Sequence, residues 1–162
     1  MMNDRPFPSR DWIARPRPAI VTICSLLLRV VSFAQSPSST NLIRIQISGL
    51  HSDKGQAVCA LFASAKDFPK NPQNAIARTQ SAIAHGRAVC EFAAVGPGRY
   101  AVSVFHDENA NGKLDTNFMG IPREGVGASN NAIGHFGPPK FEAAAFDYSG
   151  GTLELAITIT YL

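Results

Sequence analysis

The chain has 162 residues, 45% hydrophobic and 17% charged, with a formal net charge of +3. Of its 15 Lys plus Arg and 12 Asp plus Glu, five Arg and two Asp fall in residues 1–34, so the remainder balances at ten against ten. A neutral remainder without a basic cluster leaves no footprint for nucleic acid or anionic lipid, and both are excluded as partners.

The first 34 residues read as a signal peptide. Arg5, Arg10, Arg15 and Arg17 form a basic stretch, Ala19–Leu28 is apolar, and Ser32-Phe33-Ala34 places small residues where a signal peptidase reads them. Cleavage is expected before Gln35, with export to the periplasm or the extracellular space. The apolar run is about ten residues, short of the roughly 20 that span a bilayer. An N-terminal anchor helix is the competing reading. Residues 35–41, QSPSSTN, follow as a polar linker. Residues 42–162 are then one domain, large enough to bury roughly two thirds of its unfolded surface.

In chain order, Leu42–Leu50 alternates Ile43, Ile45 and Ile47 with Arg44, Gln46 and Ser48, the pattern of a strand with one buried face. Gln56–Ser64, Arg87–Val95 and Arg99–His106 read as further strands, Ile76–Ala84 as a weaker one. Turns are expected at Ser52–Gly55, His85-Gly86 and Gly96–Gly98. Short helical turns are expected at Ser64–Phe68 and Pro139–Phe146. The last strand is Thr152–Tyr161, with Leu153, Leu155, Ile157, Ile159 and Tyr161 on one face. Six or seven short strands without alternating helices predict an all-β fold, an antiparallel β-sandwich of the transthyretin or immunoglobulin type. Strand parity turns Cys59 and Cys90 inward. They either pair, as an exported domain permits, or stay apart as two small buried hydrophobes.

Residues 106–146 are dense in Gly, Asn, Asp and Pro, and none of them reads as a strand. So long an ordered loop is normally functional. It carries Asp107-Glu108-Asn109-x-Asn111-Gly112-Lys113-Leu114-Asp115, then Gly120-Ile121-Pro122-x-Glu124-Gly125, Ser129-Asn130-Asn131-Ala132 and Phe136-Gly137-Pro138-Pro139-x-Phe141. With Pro97-Gly98-x-Tyr100-Ala101 before them, these linked motifs resemble the bacterial domain-of-unknown-function family 2141 over most of residues 42–162. The resemblance implies a small exported sandwich, transthyretin-like in outline, and brings no biochemical activity. Val126 and Ala128 stand where bulkier residues are more usual.

Two chemistries are legible in the loop. Asp107, Asn109 and Asn111 occupy positions 1, 3 and 5 of a calcium loop, Lys113 offers its carbonyl at position 7, and Asp115 falls at position 9. Gly112 sits at the sharp turn. Position 12 is Phe118 instead of Glu, so Glu108, Asn117 or Glu124 must fold back to complete the 107–118 loop. Ca²⁺ would bind weakly. The competing reading is a metal-free loop whose Asx side chains bond their own backbone. The second chemistry is a small hydrolase using Ser129 as nucleophile, His106 or His135 as base and Asp107 as orienting acid. No nucleophile-elbow pattern flanks Ser129. His106 and His135 lack a third ligand at a spacing that marks zinc. The loop's apolar residues (Phe118, Ile121, Pro122, Phe136, Pro138, Pro139, Phe141) either anchor it to the sandwich or line a groove for a protein, peptide or glycan. The anchoring role is preferred. The reading adopted is a non-catalytic exported binding or structural module.

Overall fold

The computed structural model describes residues 41–134 and 136–162. The expected leader, the linker before Asn41, and His135 lie outside the described residues.

Among the described residues, eight strands form two sheets: β1 (Leu42–Ser48), β2 (Gln56–Phe62), β3 (Ala77–Ser81), β4 (Ala88–Ala93), β5 (Gly98–Asp107), β6 (Val126–Ala128), β7 (Phe146–Tyr148) and β8 (Thr152–Thr158). One sheet has the order β4-β1-β8. The other has the order β3-β2-β5-β6, with β7 also on β5. The all-β sandwich stands. It departs from a purely antiparallel arrangement at one place: β1 and β8 run parallel, Ile43 opposite Leu153 and Ile47 opposite Ile157. Alternation tells which face a strand buries and not which way its neighbour runs.

The inter-sheet core is the one the alternation predicts. Ile43, Ile45, Ile47 and Ile157 are buried against Ala57, Cys59, Leu61, Val102 and Val104, each large aliphatic contributing about 1.5–3 kcal/mol. Cys59 and Cys90 both lie buried in this core, their sulfurs not joined in this structure.

Strands β2 and β5 are buried on both faces. Their outward Ala60, Phe62 and Ala101 form a second cluster with Phe68, Ala128, Phe141 and Ala144. These last four belong to the turns after β2 and to the long loop, whose short helix α1 (Phe141–Ala144) lies over the sheet. The expectation of no strand within 106–146 is therefore corrected. Val126–Ala128 pairs with Ser103–Phe105; two of its three residues are Gly and Ala, so the ladder and not a side-chain pattern holds it. Among the described residues no helix is long and apolar enough to cross a membrane.

Candidate functional site

Asp107 ends β5 opposite Gln56 of β2, and its carboxylate is fully buried. Its Oδ1 accepts the Asn111 N–H at 3.0 Å. Its Oδ2 accepts the Gly112 N–H at 2.8 Å and the Gln56 Nε2–H at 2.9 Å. The loop thus turns around one carboxylate. Asn109 Oδ1 accepts the Asn111 N–H at 3.1 Å, and Asn111 Oδ1 accepts the Lys113 N–H at 2.7 Å. The amide groups of Asn109 and Asn111 donate to the Asp115 carboxylate, the shorter bond at 2.7 Å. Positions 1, 3, 5 and 9 of the predicted loop are therefore brought together, with Lys113 tied in through its backbone.

Of the three residues named to complete the loop, Glu124 is the one that folds back. Almost fully buried, it accepts the Glu108 N–H at 3.0 Å on Oε1 and the Asp115 N–H at 2.9 Å on Oε2. It staples both ends of the loop. Asn117 instead caps the next turn, its Oδ1 accepting the Met119 and Ile121 N–H groups. The Glu108 carboxylate lies 3.6 Å from His106 Nδ1. Arg78 of β3 reaches over to donate to the Gly112 carbonyl at 3.1 Å. Among the described residues, no Lys or Arg forms an ion pair with Asp107, Asp115 or Glu124. No group of three or more His, Cys, Asp or Glu side chains gathers there as a metal cluster either. The carboxylates are linked through backbone amides, and Asn supplies much of the remaining side-chain oxygen.

The floor of the loop is the β1–β2 turn. Gly55 has a left-handed φ of +67°, and a Cβ there would fall 1.9 Å from the Asp107 carbonyl oxygen. Only glycine fits. No periodicity signals this contact.

His106 serves the scaffold. Its Nε2 is 2.8 Å from the Lys54 carbonyl, which can only accept, so the proton sits there. Its Nδ1 then accepts the Tyr161 hydroxyl at 2.6 Å. The Tyr161 oxygen takes the His51 N–H at 3.0 Å, and the two rings stack at 3.6 Å. Burial raises the Tyr161 phenol above its usual range, against the His51 amide, which lowers it. Gly125 makes room for this ring, since a Cβ there would meet it at 2.6 Å.

Ser129 is fully buried. Its hydroxyl accepts the Val102 N–H at 2.9 Å and donates to the Ala144 carbonyl at 2.5 Å. β6 and β7 pair with β5 on either side of Val102, so this hydroxyl replaces the missing ladder partner between them. The hydrolase set is not assembled among the described residues. Ser129, His106 and Asp107 each bond to separate partners, and His135 lies outside them.

The loop's apolar residues divide. Phe141 anchors, packing edge-on to Phe68 at 5.8 Å between ring centres. Phe118, at 95% exposure, with Met119, Ile121 and Phe136, stands in solvent, which corrects the expectation that the set as a whole pins the loop. An open cleft of about 640 Å³ lies between Phe68, Lys70, Ile133, Phe136, Pro138 and Phe141.

Residues 45–156 match the pattern of the family described as uncharacterized protein conserved in bacteria (DUF2141), and the chain belongs to it. No curated protein and no solved structure matches.

Proposed function

We propose that this member of the family is an exported, non-catalytic binding module whose 107–118 loop holds a calcium ion weakly. One observation carries the reading. Asp107, Asp115 and Glu124 share one hydrogen-bonded loop, two of them are buried, and no Lys or Arg among the described residues pairs with any. Buried carboxylates are ordinarily paired or coordinate a metal. The oxygens available are those of Asp107, Asn109, Asn111 and Asp115 with the Lys113 carbonyl, a hard donor set that suits Ca²⁺. Among the described residues, Asp107 Oδ1 accepts one hydrogen bond, from the Asn111 N–H, which leaves a lone pair for an ion.

Glu124 explains how the loop does without a twelfth-position Glu. Its carboxylate supports the backbone at both ends, at the cost of two oxygens for the ion. Two direct carboxylates imply a dissociation constant of about 10⁻⁴–10⁻³ M, the range of extracellular modules. The ion would stiffen a platform from which Phe118, Met119 and Ile121 project, a surface for a protein, peptide or glycan. The leader pattern supports export.

Calorimetric titration of Ca²⁺ into EGTA-treated protein tests the site. One ion per chain is expected, with Asp115→Asn weakening it by tenfold or more and leaving the fold intact. Absence of binding up to about 10 mM removes the proposal. Export is tested separately by the N-terminus of the extracytoplasmic protein, expected at or near Gln35; an intact Met1 or Met2 there contradicts it.

A further inference from the structure

We propose that Cys59 and Cys90 form a disulfide that ties the two sheets together. Cys59 is at the middle of β2 in one sheet, Cys90 at the middle of β4 in the other, and both point into the shared core. Cα atoms of β2 and β4 approach within 8 Å, and a disulfide spans Cα separations of about 4.4–6.8 Å. The Cys90 thiol lies 4.0 Å from the carbonyl of Ala57, which shares the inward face of β2 with Cys59. Burial pushes the Cys59 thiol well above its usual range, and the adjacent Cys90 thiol pushes it further.

These facts fix when the bond must form. The thiolate is the species that reacts, and neither sulfur is exposed once the sheets have closed. Oxidation therefore belongs to folding, while β2 and β4 still admit a reagent. The reaction is exchange with an external disulfide. One cysteine thiolate attacks it and releases one thiol. The second thiolate then attacks the mixed disulfide and releases the other thiol. The protein loses two protons and two electrons, and the reagent gains both as its two thiols. The inference leans on the export reading only for its natural setting, since that compartment is oxidising.

The full chain, purified reduced, is unfolded and refolded with oxidised and reduced glutathione, so export plays no part. A proteolytic map under non-reducing conditions should then contain one linked pair, the peptides of Cys59 and Cys90. The oxidised protein should melt about 10 °C or more above the same protein refolded in reductant, because the bridge closes a loop of about 30 residues. Cys59→Ala/Cys90→Ala should melt identically with and without reductant. The proposal is overturned if native refolded protein yields both cysteines alkylated after denaturation, or if either is linked to Cys24, the third cysteine of the full chain, which lies in the expected leader. Should the double variant fail to fold, the wild-type map still decides.

Discussion

Ser129 and Asp107 share a sequence neighbourhood with ordinary loop residues and yet are among the most buried polar groups of the domain. Ser129 accepts an amide in the middle of β5, and Asp107 accepts the amides of the loop that follows that strand. Ser129→Ala leaves the Val102 N–H and the Ala144 carbonyl without partners in a buried place. It should cost about 1–3 kcal/mol in chemical denaturation and leave calcium binding untouched. Glu124→Gln retains one accepting oxygen and turns an amide N–H₂ toward the other donor. The same range of loss is expected, and here calcium affinity should fall too, because the staple positions Asp115. Equal calcium affinity in Glu124→Gln and wild type would contradict that coupling. Asp53 gives a pH dependence. The amides of Gly86 and His85 hold its carboxylate below the usual range. A depressed carboxylate stabilises the fold above its unfolded pKa, and that contribution disappears as pH falls from about 4 through the folded value. Wild type should therefore lose stability more steeply than Asp53→Ala between about pH 4 and 2, as followed by melting temperature.

The strands were legible because alternation is a local property. Ile43, Ile45 and Ile47 against Arg44 and Gln46 give β1 its face, and the same rule places Cys59 and Cys90 inward. What escaped depends on partners remote in sequence. β6 is Val-Gly-Ala, too short and too small to show a pattern, and exists because β5 offers it an edge. The parallel pairing of β1 with β8 joins the two ends of the domain, which no local signal encodes. In the loop, the spacing of Asp107, Asn109, Asn111 and Asp115 announced a cluster, whereas Glu124's clamp and the seating of Gly55 under Asp107 needed the tertiary structure. That seat gives an element-level prediction. Gly55→Ala combines a left-handed φ with a clash against backbone that cannot swing aside. The variant should lose more than the roughly 1 kcal/mol of conformational strain alone, with a weakened calcium response, measured by melting in Ca²⁺ and in EGTA.

At the scale of the whole domain, the 106–146 segment partly clads the sandwich and partly forms the hydrogen-bonded turn around Asp107. Residues 128–144 close the outer face of β2 and β5 through Ala128, Phe141 and Ala144. Residues 107–125 build the oxygen-lined turn, with exposed Phe118 and Met119 beyond it. If calcium occupies that turn in the native state and not in the unfolded chain, it must raise the stability of the entire domain. The direct measurement is the melting temperature of the wild-type protein in about 10 mM Ca²⁺ against EGTA. With a dissociation constant near 10⁻⁴ M, the gain is about 2.7 kcal/mol, a rise of several degrees, and Asp115→Asn should abolish it. Identical wild-type curves in calcium and EGTA would contradict the calcium loop and leave Asp107, Asn109, Asn111 and Asp115 as a self-bonded turn.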